Sequence, residues 1–193
     1  GGTIDEIEAR HAAHELVVDL LAVLVLHLHG QGVAHLEPGI LLNNRYRIIE
    51  VLGQGGMGSV YRARDENLDI DVAVKDNFFT SEEYIRQFRK EAVILATLHH
   101  PYLPRVTDHF TVEKQGQYMV MDYIEGEDLR QRMLRVGTLP EDEAIIIGAA
   151  ICEALTYLST RTPPVIHRDI KPGNVKINPE GEIFLVDFGL AKT

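Results

Sequence analysis

Tryptophan is absent and cysteine occurs once, at Cys152, so the chain can close no internal disulfide. Nothing ties it to an oxidising compartment, and a cytoplasmic location is expected. Cys152 itself reads as a small apolar packer on a helix. Basic residues are the minority: 19 Lys and Arg stand against 29 Asp and Glu, a formal net charge of -10. A nucleic-acid partner requires a basic face and is not expected. Long apolar runs are scarce too. The longest, Leu16 to Leu28, contains Asp19 and falls short of the roughly 20 residues that a membrane-spanning helix needs. No basic stretch precedes it and no small-residue cleavage site follows, so it does not read as a secretory signal, and these residues indicate no membrane association.

What is present divides by composition. Residues 1–36 form an apolar helix or a mis-called extension, holding five of the nine histidines. His11 and His14 would share a helix face, but no cysteine stands nearby and no ligand spacing is recognisable, so a metal site there is disfavoured. Gly30, Gly32, Pro38 and Gly39 break any helix, and 37–45 reads as a linker. From Tyr46 the pattern becomes strand-like: Tyr46 to Leu52, Gly58 to Arg64, Ile70 to Lys75, Arg105 to Thr111 and Gln117 to Asp122 alternate or run apolar. Ser81 to Leu98 reads as one amphipathic helix with Ser81 as its N-cap. After Gly126 the pattern turns helical, at Asp128 to Val136 and Pro140 to Thr160. Short strands follow at Val175 to Ile177 and Ile183 to Val186. Domain boundaries are therefore expected at 46–124 and 125–193.

Four motifs carry chemistry. The first, Gly53-Gln54-Gly55-Gly56-Met57-Gly58-Ser59-Val60, frees backbone amides to approach phosphate oxygens. A glycine hairpin alone is more often a plain turn. Because a strand rather than a helix follows it, a dinucleotide-binding loop is disfavoured. The second, Val72-Ala73-Val74-Lys75, ends an apolar strand in a cation. The third and fourth, His167-Arg168-Asp169-Ile170-Lys171-Pro172-Gly173-Asn174 and Asp187-Phe188-Gly189, supply carboxylates and an amide oxygen, the hard ligands that magnesium prefers.

In this order and spacing the four motifs resemble those of eukaryotic-like, bacterial-type Ser/Thr protein kinases, and the resemblance runs from Tyr46 to Thr193. It implies an α+β, protein-kinase-like fold: a five-stranded antiparallel N-lobe sheet with one helix, then the first part of a helical C-lobe. It implies ATP and Mg2+ as cofactors and a protein substrate with a Ser or Thr acceptor. Lys171, two positions after Asp169, resembles the Ser/Thr rather than the tyrosine branch.

The roles implied by the resemblance fall on named residues. Asp169 would accept the substrate proton and Lys171 would steady the transferring phosphate. Lys75 would bind the α- and β-phosphates and pair with Glu91, with Glu82 and Glu83 as first-turn competitors. Asn174 and Asp187 would hold the metal. Gly53, Gly55 and Gly58 would cradle the triphosphate, while Val60 and Ala73 roof the adenine. Met121 would be the gatekeeper, Asp122 and Ile124 would offer backbone groups to the base, and Asp128 would touch the ribose. Leu95, Val106, His167 and Phe188 match the spine that ties the lobes together, and Met57 resembles bacterial members.

Two features depart from the family. Lys176 occupies a position usually apolar beneath adenine, so either its stem packs there or nucleotide affinity is lowered. The sequence given also stops at Thr193, four residues after Gly189, so an incomplete kinase, weakly active or inactive, is expected. In it the Pro140 to Thr160 helix would leave part of its apolar face uncovered. The rival reading is a non-catalytic nucleotide-binding or pseudokinase-like interaction module, against which Lys75, Asp169, Asn174 and Asp187 all stand intact.

Overall fold

The computed structural model describes residues 36–55, 58–77, 82–112 and 116–187. The expected N-terminal helix, the Ser81 cap, Met57 and the Phe188-Gly189 pair lie outside them.

Strands β2 (Tyr46–Gly55) and β3 (Gly58–Asp65) form the glycine-tipped hairpin, and β4 (Ile70–Asn77) continues the sheet. Strict alternation along β3 buries Ser59, Tyr61, Ala63 and Asp65 on one face, as the period of a half-buried strand requires. Strands β5 (Val106–Val112) and β6 (Gly116–Asp122) complete the five expected from sequence. A sixth, β1 (Leu41–Leu42), pairs with β2 at the edge, giving the antiparallel order β1-β2-β3-β4-β6-β5. The stretch expected as a linker is therefore partly sheet. Leu42 is buried and Gly39 N–H donates to the Ile48 carbonyl, so residues 39–42 are tied down rather than free.

Helix α1 (Glu82–Ala96) places Phe88, Glu91, Ala92 and Leu95 inward, the i, i+3, i+4, i+7 stripe of an amphipathic helix. Beyond Asp122 the chain forms β7 (Glu127–Asp128), α2 (Leu129–Val136), α3 (Glu141–Ser159), a 3-10 turn at Pro172–Asn174, β8 (Val175–Ile177) and β9 (Ile183–Leu185). The last two strands join β7 in a small antiparallel sheet of order β7-β8-β9. Asp128 caps α2 in a full capping box: its carboxylate accepts from Gln131 N–H at 2.8 Å, while the Gln131 side chain accepts from Asp128 N–H at 2.9 Å. Three acids, Glu141, Asp142 and Glu143, open α3 where they complement the helix dipole.

Two cores result. Tyr46, Ile48, Tyr61, Val74, Tyr118 and Val120 pack on the sheet face away from α1, with Phe110 stacked between Tyr46 and Tyr118. The other core runs from Phe88 and Leu95 of α1 through Met119 to Ala154 and Leu158 of α3, joining the two lobes. Two hydrogen bonds reinforce that join: Leu185 N–H to the Tyr102 carbonyl at 2.8 Å and His99 N–H to the Tyr157 hydroxyl at 2.9 Å. On α3, Ile145 and Ile146 are exposed, as expected of an uncovered apolar face. Cys152 is exposed as well, a correction to its reading as a core packer, because the buried stripe of α3 runs through Ile147, Ala150, Ala154 and Leu158 instead. Among the described residues no helix is long and apolar enough to cross a membrane.

Candidate active site

A cleft enclosing about 300 Å³ lies between the sheet and the second lobe, within the range of small-ligand sites. Gly53, Val60 and Ala73 line it from the sheet, Met121 to Ile124 from the connection between lobes, and Asp128, Lys176 and Asp187 from below. Register explains the roof: Val60 stands opposite Lys75, and Ala73 opposite Met121, so these side chains share one sheet face. Asp122 N–H already donates to the Arg105 carbonyl at 3.0 Å, so any contact that Asp122 makes to a base must come from its carbonyl.

The glycines do different jobs. Gly53 lines the cleft and nothing stands within 4 Å of where its Cβ would be, so its bare backbone leaves room for a ligand rather than relieving a clash. Gly58, with φ +146°, has no alternative: a Cβ there would sit 2.3 Å from the Asp76 carbonyl oxygen. Gly55 pairs directly with Gly58 at the hairpin tip. Register shifts in β2 between Ile48 and Glu50 and between Val51 and Gly53 mark bulges, which add twist to a strand and bend it.

Deeper than this cleft, Lys75, Glu91, Leu95, Val106, Met121 and Asp187 enclose a second cavity of about 10 Å³, room for one water. Lys75 Nζ stands 3.6 Å from Glu91 Oε1, an ion pair longer than a direct hydrogen bond. Glu91 is 1% exposed, and burial pushes its carboxyl above the usual range while the Lys75 charge works against that shift. The pairing expected from sequence is thus made. Asp187 lines both cavities and connects them.

The loop before β8 is organised around Asp169. Lys171 Nζ and Asn174 Nδ2 both donate to Asp169 Oδ2 at 2.7 Å, and Asn174 Nδ2 also donates to the Asp169 carbonyl at 2.8 Å. The Lys171 ammonium, helped by the Asn174 amide, holds the Asp169 carboxyl below the usual carboxylate range, against some desolvation. Val186 N–H donates to the Asn174 carbonyl at 2.8 Å, which ties Asp187 to Asn174. Arg168 and Asp187 both adopt positive φ, 66° and 54°, conformations that a non-glycine residue keeps only when its surroundings dictate them. His167 is buried beside them, and burial lowers its imidazole below the ordinary value. Leu95 and Val106 meet at the inner cavity, while Phe188 lies outside the described residues.

Lys176 answers one question left by the sequence. It is half-buried in the cleft with Nζ 5.7 Å from the Tyr123 ring centroid, so the stem covers the floor while the ammonium rests toward the aromatic ring. Burial lowers its pKa, opposed by Asp128, Asp187 and Glu125. Tyr123, which also carries Arg62 at 4.9 Å, was not among the residues that sequence marked out. No cluster of three or more His, Cys, Asp or Glu suited to a metal occurs among the described residues. The fit to magnesium rests on Asn174, whose amide nitrogen is spent on Asp169 so that its oxygen remains for a cation, and on the Asp187 carboxylate.

Residues 46–193 match the family described as protein kinase domain. The chain is 40% identical over 158 residues to the Probable serine/threonine-protein kinase CPE1738 of Clostridium perfringens, covering 80% of this chain and 23% of that protein. It is 36% identical over 161 residues to the serine/threonine-protein kinase PknA of Mycobacterium tuberculosis, covering 80% of this chain and 37% of that one. The crystal structure of the M. tuberculosis PknI kinase domain superposes with a TM-score of 0.68 at 30% identity, over 82% of this chain and 63% of that one. The chain thus spans well under half the length of these two curated relatives.

Proposed function

The chain belongs to the protein kinase domain family, and on that premise we propose that it supplies the nucleotide cleft and catalytic loop of an enzyme transferring the γ-phosphoryl group of ATP to Ser or Thr hydroxyls of proteins. The observation that carries this reading is Asp169: an ionised carboxylate with Oδ2 held by Lys171 and Asn174, and Oδ1 open among the described residues. Such a group can accept the proton of a hydroxyl as that oxygen bonds to the γ-phosphorus and the bond to ADP breaks.

The rest of the chain positions and neutralises. Gly53, Gly55 and Gly58 leave backbone amides open to the triphosphate, and Lys75, steadied by Glu91, takes the α- and β-phosphates. Val60 and Ala73 cover the base with Met121 behind it. The Asp122 carbonyl and Ile124 backbone read its edge, and Asp128 meets the ribose as well as capping α2. Asn174 and Asp187 would hold magnesium, which when bound neutralises phosphate charge as a Lewis acid. Lys171 bonds the Asp169 carboxylate in this structure, and on this reading it would turn toward the transferring group. A cytoplasmic location belongs to the same reading, supported by the single cysteine.

The residue type of the acceptor is the test. After incubation of the full-length protein with radiolabelled ATP and a mixture of basic proteins, phosphoamino-acid analysis is expected to return phosphoserine and phosphothreonine. Label confined to phosphotyrosine would overturn the Ser/Thr assignment, and no label above a boiled control would overturn the transfer itself.

A further inference from the structure

Immediately after Lys75, β4 carries a carboxylate. Alternation along the strand sends Lys75 toward the cleft and Asp76 to the opposite face, where it is 1% exposed beneath the returning strand of the glycine hairpin. The backbone ladder between β3 and β4 ends at the Val60–Lys75 pair. The next N–H along β3, that of Ser59, donates to Asp76 Oδ1 at 2.5 Å, and the Tyr61 hydroxyl donates to Oδ2 at 3.0 Å. Gly58 abuts the same residue, since a Cβ there would meet the Asp76 carbonyl oxygen at 2.3 Å and Oδ1 at 2.6 Å. A side chain has taken over where the backbone ladder runs out.

We infer that Asp76 is a positioning residue for the glycine-rich loop, clamping its base at Gly58 and Ser59 from the face of the sheet away from the nucleotide. The inference rests on the reading of the cleft as an ATP site. Its physical basis is that a buried carboxylate is costly unless donors satisfy it, and charge-assisted bonds to an N–H and a phenol do so. Tyr61 is itself fully buried and its hydroxyl accepts from Leu36 N–H at 3.4 Å, so the anchor is set in the core rather than in solvent. A loop whose base is fixed loses less freedom on closing over a triphosphate. An apolar residue at 76 would fill the space and release the loop.

The experiment uses the full-length protein with Asp76→Leu, Asp76→Asn and Tyr61→Phe. Amide hydrogen exchange is read at Ser59 against Ala63, which lies within the β3–β4 ladder, and Mg·ATP affinity is titrated in parallel. Asp76→Leu is expected to speed Ser59 exchange about 10-fold, the loss of one charge-assisted bond, with Ala63 unchanged. It should weaken Mg·ATP binding by a similar factor and raise KM for ATP while kcat stays near wild type. Asp76→Asn, which keeps an acceptor oxygen, should restore most of both. Unchanged Ser59 exchange in Asp76→Leu, or equal loss of protection at Ser59 and Ala63, would overturn the inference. Should Asp76→Leu not fold, Tyr61→Phe gives the graded version, with Ser59 exchange rising a few-fold or, against the inference, not at all. Failure of the wild type to bind Mg·ATP would instead remove the ATP-site reading, and the exchange data would still decide the clamp.

Discussion

Replacing Lys75 by Met should leave Glu91 buried without its counter-charge, and the structure bounds the cost. Glu91 is 1% exposed and its only ion-pair partner among the described residues is Lys75 at 3.6 Å. Removing one partner of a buried pair typically costs about 3 to 5 kcal/mol. Glu91 has an escape, however: it can take up a proton. Neutralising a carboxyl of ordinary pKa 4.5 at about pH 7 costs about 2.5 pH units at 1.36 kcal/mol each, roughly 3.4 kcal/mol, which caps the penalty. At about pH 5 the same arithmetic leaves about 0.7 kcal/mol. The sign follows from linkage: a carboxyl whose folded-state pKa is raised contributes stability below its unfolded value and loses it as pH rises through the folded value. Lys75→Met should therefore be nearly as stable as wild type in mild acid and about 2 to 3 kcal/mol less stable near neutrality, measured by urea unfolding across the interval. The double variant Lys75→Met/Glu91→Gln should lose this pH dependence. A Lys75→Met penalty equal at both pH values would mean that Glu91 does not relieve the lost charge by taking up a proton.

The two glycines at the loop base should separate. Gly58→Ala places a Cβ against the Asp76 carbonyl and should cost about 1 to 3 kcal/mol in unfolding. Gly53→Ala should leave stability unchanged and weaken Mg·ATP binding, because its Cβ would enter open cleft space. Lys176→Met removes an ammonium that a bound base would desolvate. It should tighten Mg·ATP binding roughly five-fold, about 1 kcal/mol, in a fluorescence titration; weaker binding would mean that the ammonium contacts the nucleotide. Asp128→Ala removes the capping box of α2 and should cost about 1 kcal/mol in chemical denaturation, with Asp128→Asn near wild type.

The regular elements were legible in the sequence because each writes its own period. The inward set Ser59, Tyr61, Ala63 follows the two-residue repeat of a strand, and Phe88, Glu91, Ala92, Leu95 the repeat of a helix. The site residues were legible because their chemistry is local: Asp169, Lys171 and Asn174 lie within six positions and bond one another. What escaped depends on contacts distant in sequence. Strand β1 exists because Leu42 finds a core around Tyr46 and Ile48, a fact that two leucines between Ile40 and Asn43 do not announce. The exposure of Cys152 follows from which stripe of α3 packs toward β9, and a helix apolar on several sides does not specify that. Tyr123 gains its place from Arg62 on one lobe and Lys176 on the other. Asp76 left no trace, because the strand expected from sequence stops at Lys75 whereas β4 runs on to Asn77.

On the proposed function Asp169 serves the chemistry and not the fold. γ-Phosphoryl transfer from radiolabelled ATP in the full-length protein, wild type against Asp169→Asn, separates the two roles. The variant should bind Mg·ATP as wild type does and transfer label about 100-fold or more slowly, the scale of a lost general base. Undiminished transfer by Asp169→Asn would contradict a role in the chemistry.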